Sequence, residues 1–469
     1  MDTRVAHLPA PYWFIVLLLL AGCTPDEPAR IADYRVLGEL RVATREDAIS
    51  YRTHADGDVS GFEHDLVLKL GERLDVPVRF VVYPDVPRVL DAVLDGEVHL
   101  AAAGLVRNDR LPLRWSARLR EVDYVLAARP EAPKIESEAD LAGRTVSVRR
   151  GTVAAEALSR IRKRLPHLNL HFPARTGDLA LLDQLADGKL DLVATDRLHF
   201  AFATQAHPSL AIAYDLPVQS ATAWALPREA DELLADEVDA FLEEARTGTL
   251  LARLADRYFG HVRRLSETDV TYFLARMRER LPRYRKHFHE AQARTGVDWR
   301  FLAALAYQES QWDPLATSRT GVRGMMMLTA DTADRLGVSD RLDARESILG
   351  GARYFALLRD QLPEEIGEPD RSWMAIAAYN LGPGHMNGAR AIAARMGKDN
   401  TAWWDMKRIL PLLARPEYAA RLKAGPARGG EAVIMTENVR NYHGILARLE
   451  PAYVPPLQPA GLGLAQGGD

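Results

Sequence analysis

One carboxyl group stands out for the chemistry it could do. Glu309 closes an apolar run, Phe301-Leu302-Ala303-Ala304-Leu305, for which Asp298 supplies a helix N-cap. Helical steps of three and four residues put Leu302, Leu305 and Glu309 on one face. Ionising a carboxyl on an apolar stripe is costly. Pro314 is expected to stop the helix shortly afterwards, which leaves Glu309 near the negative end of the helix dipole. Both effects raise its pKa towards the range a general acid needs near neutral pH. The same spacing also fits a surface or capping Glu in a helix's last turn, so the surrounding residues decide between the two.

Those residues form an ordered series. Glu309-Ser310 is followed by Ser318, then Gly324-Met325-Met326-Met327-Leu328-Thr329, then Ala378-Tyr379-Asn380-Leu381-Gly382. The series resembles the lytic transglycosylase domain of the soluble-transglycosylase type, whose members carry Glu-Ser, Gly-Leu-Met-Gln and Ala-Tyr-Asn segments in this order. Met327 stands where that pattern has Gln, and the triple-Met version resembles the membrane-bound lytic murein transglycosylase F subfamily.

The resemblance implies a single-carboxylate lyase acting on peptidoglycan glycan strands. Glu309 would protonate the bond between N-acetylmuramic acid and N-acetylglucosamine. It would then accept the proton of the muramic C6 hydroxyl, giving a 1,6-anhydro-muramyl end. Ser318, Met327, Tyr379 and Asn380 match positions around the reacting sugar, and Tyr442 matches a tyrosine near the catalytic Glu. From the residues alone, Tyr379 also reads as core, Asn380 as a helix C-cap and the Met run as core filler. The nearest second acid, Asp313, precedes Pro314 and reads as a helix stop. A hydrolase with two carboxylates and an inactive binding module remain the alternative readings.

The elements around Glu309 read as mostly helical. Helical runs are expected at Tyr272–Leu281, Tyr284–Ala293, Trp299–Gln311, Thr329–Leu336, Ile348–Leu362, Trp373–Tyr379 and Ala389–Arg395. A mainly α, lysozyme-like domain over residues 268–450 follows from the resemblance, with a Pro- and Gly-rich disordered tail at 451–469. His287 and His289 read as a solvated helix face.

The front half differs in kind. Strand patterns at 39–44, 78–83 and 98–105 alternate with helical patterns at 61–74 and 87–94, which argues for a mainly parallel α/β sheet. Leu94-Asp95-Gly96-Glu97-Val98-His99-Leu100 is echoed by Ala186-Asp187-Gly188-Lys189-Leu190-Asp191-Leu192, each a helix end, a tight turn and a strand. Residues 38–262 resemble the two-lobed periplasmic solute-binding proteins of the amino-acid type. The matching pieces are Gly61-Phe62-Glu63-His64-Asp65-Leu66, Gly104 to Arg110, Gly151-Thr152 and Asp191 to Asp196. That likeness implies a ligand, an amino acid or muropeptide, held by Arg110 through its carboxylate, Asp196 through its ammonium and Thr152 through its hydroxyl. Alternatively, Arg110 pairs with Asp109 or Glu121 in a domain that has lost its ligand.

The whole chain sets outer bounds. Its 469 residues suffice for two or three domains, and its net charge of -4 gives no sign of a nucleic-acid partner. It has no His-Glu-x-x-His, phosphate loop or cysteine pair, so neither metal nor cofactor is expected. Its one cysteine, Cys23, follows a short apolar run in Leu20-Ala21-Gly22-Cys23, which resembles a bacterial lipobox. Residues 1–22 would then be a removed signal peptide, Cys23 a lipidated N-terminus and 23–37 a spacer. Thr24 favours the outer membrane, with the domains facing the periplasm. The alternative is an ordinary signal peptide or a short anchor with a chance cysteine.

Overall fold

A computed structural model describes residues 30–54, 57–262, 264–422 and 425–454. The proposed signal peptide and Cys23 lie outside the described residues. No helix among the described residues is long and apolar enough to cross a membrane.

The first lobe supplies strands β1 (Leu40–Thr44), β2 (Arg52–Thr53), β3 (Val59–Ser60), β4 (Val78–Val82), β5 (Leu100–Ala101) and β6 (Leu113–Trp115). The second supplies β7 (Arg120–Ala128), β8 (Thr145–Ser147), β9 (Asn169–His171), β10 (Leu192–Asp196) and β11 (Ala211–Thr222), and β12 (Ala225–Pro227) returns to the first. Two five-stranded sheets result, ordered β4-β1-β5-β12-β6 and β11-β7-β10-β8-β9. Both are mixed rather than mainly parallel, because β12 runs antiparallel to β5 and β6, and β7 antiparallel to β10 and β11. Arg120 pairs with Thr222 where the long β7 and β11 enter the second lobe.

The echoed heptapeptides occupy equivalent places. The Asp95, Gly96 and Glu97 amides donate to the carbonyls of Asp91, Val93 and Ala92; those of Asp187, Gly188 and Lys189 donate to Asp183, Leu185 and Gln184. Gly96 and Gly188 sit at φ 67° and 77°, so each copy ends a helix on a left-handed glycine and leads into a strand. Order starts before the expected boundary at 38: Ile31 N–H donates to the Gly96 carbonyl, and Tyr34–Leu37 is a helical turn capped by Asp33.

From Ser266 onward the described chain is helical around a single apolar core. The seven expected helices appear, five of them extending further at one or both ends. Two features that were not anticipated bear on the Glu309 helix. A 21-residue helix, Gly429–Leu449, packs against the Glu309 helix (Trp299–Ser310) and against Asp370–Leu381. The start of the expected disordered tail is also packed: Tyr453 stacks on His289 at 4.1 Å, and Trp299 Nε1 donates to the Pro451 carbonyl. His289 is therefore covered by aromatic rings on this face rather than solvated.

Both lobes touch the catalytic domain. From the first lobe, Asp65 accepts from Arg257 (3.3 Å), whose other nitrogen reaches Asp370 at 2.6 Å. From the second, Asp183 pairs with Arg448, and Gln205 Nε2 donates to Asn441 Oδ1 at 2.9 Å. Arg253 bridges Asp399 and Asp405 at 2.9 Å each.

Candidate active site

The Glu309 helix begins at Asp298, whose carboxylate accepts from Arg300 N–H. Instead of one apolar stripe, every residue from Trp299 to Tyr307 except Arg300 is buried. Ala303, Ala304 and Ala306 are small enough to let neighbouring helices close around them, so the helix runs through the core. The stop comes before Pro314. Gln311 and Trp312 both adopt left-handed backbone, at φ 52° and 56°, and Trp312 folds back to donate its indole N–H to the Ala303 carbonyl at 2.9 Å. Met327 is left-handed too, at φ 48°. Three of the five non-glycine residues with positive φ among the described residues thus flank Glu309, in keeping with strain stored at a working site.

The Met strap is tied down by three hydroxyls. Ser310 Oγ donates to the Met325 carbonyl at 2.8 Å, and Tyr379 Oη donates to the Met326 carbonyl at 2.7 Å. Met326 N–H donates to the fully buried Ser347 Oγ at 3.1 Å. Gly324 turns the strap at φ 83°, where a Cβ would overlap the Arg341 carbonyl oxygen. Gly351 leaves room for Met326 in the same way. Met325 and Met326 are buried core, and Met327 is the partly exposed member of the run.

Glu309 is partly exposed as a residue, but its carboxyl is enclosed. Burial alone pushes its pKa up to about 8. No charged group contributes, so the acid is neutral at pH 7 for want of solvent. The Tyr379 phenol lies near enough to feel the Glu309 charge, and burial raises its own pKa well above the usual value. Asn380 is exposed on the last turn of the helix Asp370–Leu381, one residue from Tyr379. Ser318 sits in the loop leading to the strap, where its Oγ accepts from the amides of Thr320 and Val322. Asp313 is used locally, its Oδ1 accepting from Leu315 N–H at 3.0 Å.

Tyr442 stands apart from this group. It stacks on Phe273 at 4.7 Å and meets Tyr307 edge-on at 4.7 Å; burial raises its pKa to about 12. Tyr307 precedes Glu309 by two residues, which on a helix turns it to another side. Tyr442 thus packs against the Glu309 helix through Tyr307 and braces it.

In the front domain a cleft between the lobes is lined by Arg45, Asp47, Arg120, Arg149, Thr152 and Asp196, among others. Thr152 caps the helix Val153–Arg164 and Asp196 caps Arg197–Thr204, so both are at the cleft and partly committed to backbone. Arg110 is not a lining residue. Its side chain is 68% exposed and its guanidinium lies 3.4 Å from Glu156, a partner the sequence did not suggest. The cleft's guanidinium groups come from Arg45, Arg120 and Arg149 instead. They went unnoticed because no local motif marks them. Asp47, Asp178 and His199 place ligand atoms within 4.8 Å of one another, but Arg45 and Arg149 already neutralise the two carboxylates, which does not suit a metal ion.

Two family models match the chain. "Bacterial extracellular solute-binding proteins, family 3" covers residues 40–261, and "Transglycosylase SLT domain" covers 286–402, which contains Glu309, the strap and Tyr379. The chain is 43% identical over 445 residues to a membrane-bound lytic murein transglycosylase F of Thiobacillus denitrificans, covering 94% of this chain and 93% of that protein. A protein of the same name from Methylobacillus flagellatus is 40% identical over 447 residues, with 94% of each chain covered. Near-complete coverage at this identity, with both domains matched, shows that the chain belongs to the membrane-bound lytic murein transglycosylase F family.

Proposed function

We propose that the protein is a peptidoglycan lytic transglycosylase. On this reading it breaks the β-1,4 bond from N-acetylmuramic acid to N-acetylglucosamine and leaves a 1,6-anhydro-muramyl end. The observation that supports it most is the solitary, neutral carboxyl of Glu309: burial alone raises its pKa to about 8, and Asp313, its nearest acidic neighbour in sequence, is occupied by a backbone turn. A two-carboxylate hydrolase needs a second ionised acid facing the first.

Protonated Glu309 donates to the glycosidic oxygen as the C1–O bond breaks, and positive charge gathers at C1, stabilised by the substrate's own N-acetyl oxygen. The Glu309 carboxylate then takes the C6 hydroxyl proton while O6 bonds to C1. The acid is restored and no water is consumed. A nucleophile within the same sugar has an effective concentration of about 10⁵ M or more, so a dry site suffices to direct the outcome. Ser318, Met327, Tyr379 and Asn380 are assigned to the sugar groove, with Tyr379 and Asn380 at the N-acetyl and carbonyl groups. Digestion of purified sacculi with wild type and Glu309→Gln tests this: anhydro ends released by the wild type alone are expected, and equal release by both removes Glu309 from the mechanism.

The front domain is assigned a sensing role for an amino acid or a released muropeptide. The supporting features are a charged inter-lobe cleft and ion pairs from both lobes to the catalytic domain. Arg120, which lines the cleft while Arg45 and Arg149 are paired with Asp47 and Asp178, replaces Arg110 as the carboxylate partner, and Thr152 and Asp196 keep the roles assigned from sequence. Attachment to the outer membrane, facing the periplasm, is assigned to lipid on Cys23; loss of labelled palmitate from Cys23→Ser is the test.

A further inference from the structure

His199 lies in the second lobe and is 7% exposed. Its Nδ1 is 2.6 Å from Asp196 Oδ2 in the same lobe, and its Nε2 is 3.2 Å from Asp47 Oδ2 in the first lobe. Asp47 is anchored in turn, taking Arg45 Nη2 at 2.9 Å on Oδ2 and the amides of Ile49 and Ser50 on Oδ1. Asp196 Oδ1 is filled by the amides of Leu198 and His199. Independently of the ring, Arg45 favours the ionised form of Asp47, and the two amides on Oδ1 and the Arg120 charge nearby favour that of Asp196. Each ring nitrogen therefore faces an oxygen that can only accept, so the ring carries both protons.

The other charges facing the ring complete the balance. Asp178 stands close by, paired with Arg149 and accepting from Thr195 Oγ1 at 3.1 Å, and the buried Tyr124 phenol lies near Asp178 and Asp196. Arg45, Arg149 and the His199 imidazolium thus stand against Asp47, Asp178 and Asp196 with no solute present, and Arg120 and the buried Glu63 line the same cleft. The cavity left between the lobes is about 60 Å³, room for a few waters.

We infer that His199 is an internal ligand: its imidazolium fills the cation site formed by Asp196 and Asp47, holds the lobes together without solute, and must be displaced by an ammonium-bearing ligand. The inference rests on reading the cleft as a ligand site and adds the competitor that sets its occupancy. Two carboxylates from opposite lobes meet on one cation, which is the task an ammonium group would perform in closing the cleft.

Full-length protein spin-labelled on the outer faces of the two lobes reports the inter-lobe distance. Wild type and His199→Lys, which keeps a cation, are expected closed without solute. His199→Ala is expected open, and millimolar imidazole, but not neutral formamide, should restore the closed distance. A closed His199→Ala without imidazole, or no response to it in a protein of unchanged circular dichroism, overturns the inference. L-Alanine and N-acetyl-L-alanine are titrated in parallel. Free alanine is expected to bind His199→Ala at least tenfold tighter than wild type, and the acetylated form to gain nothing. If neither probe binds either protein, the ammonium-ligand reading fails, while the imidazole result still decides the internal contact.

Discussion

Ser310 Oγ reaches the Met325 carbonyl over 2.8 Å, so the residue next to the proposed catalytic acid fixes the strap. Glu309 and the strap thereby share one rigid support, and a sugar bound against the strap inherits its distance to the acid. Ser310→Ala is expected to lower stability by about 1 kcal/mol, the net worth of one such bond. Turnover on sacculi should fall by about tenfold or more, because small misplacements of reacting groups are costly. Melting curves and initial rates check the two effects separately; unchanged turnover would separate the strap from catalysis.

The acid's environment sets a pH limit. On the proposed mechanism Glu309 must be protonated to start the reaction, and burial raises its pKa to about 8. Activity is therefore expected to persist through pH 7 and to fall about tenfold per unit well above pH 8. A rate profile falling already above pH 5 would mean the carboxyl is solvated.

The same burial has a stability signature. The unfolded chain gives up this proton near pH 4.5 and the folded chain near 8, so folding stability declines as pH rises through that window. Glu309→Gln removes the titration, and its stability relative to wild type should rise by about 3.5 kcal/mol between pH 5 and 8. Parallel denaturant titrations at the two pH values measure it; a constant difference would contradict the burial assignment.

Gly324 allows little substitution. Alanine there meets both the left-handed backbone and the Arg341 carbonyl, and Gly324→Ala is expected to cost about 3 kcal/mol or more. Gly384, which has open space around it, is the control: Gly384→Ala should leave the melting temperature nearly unchanged.

Arg257 ties both domains together through Asp65 and Asp370, and it is largely buried at the junction. Arg257→Ala leaves two partly buried carboxylates without their cation, so a loss of about 3 kcal/mol is expected. Calorimetry should show the front and catalytic domains unfolding further apart in temperature than in wild type.

Much of the site was legible because its parts are local. The Glu309 helix, the strap glycine and the two Asp-Gly helix ends each announce themselves within a few residues. The helix Gly429–Leu449 did not, because Glu437, Arg440 and Asn441 break its apolar pattern. They are buried against Trp403, Asp256 and Gln205, partners that only the fold brings near. His199 was overlooked for the same reason. Its three-residue spacing from Asp196 was visible, but the decisive Asp47 lies in the other lobe. Arg110 misled in the opposite sense, since its position fits the family pattern while the chain turns it outward to Glu156.

Cleavage without water is the central claim, and digestion of sacculi in H₂¹⁸O tests it most directly. The expected products are 1,6-anhydro-muramyl ends with no ¹⁸O at C1, absent from the Glu309→Gln digest. Reducing ends carrying ¹⁸O would show that water, not the C6 hydroxyl, attacks C1, and would make the protein a hydrolase.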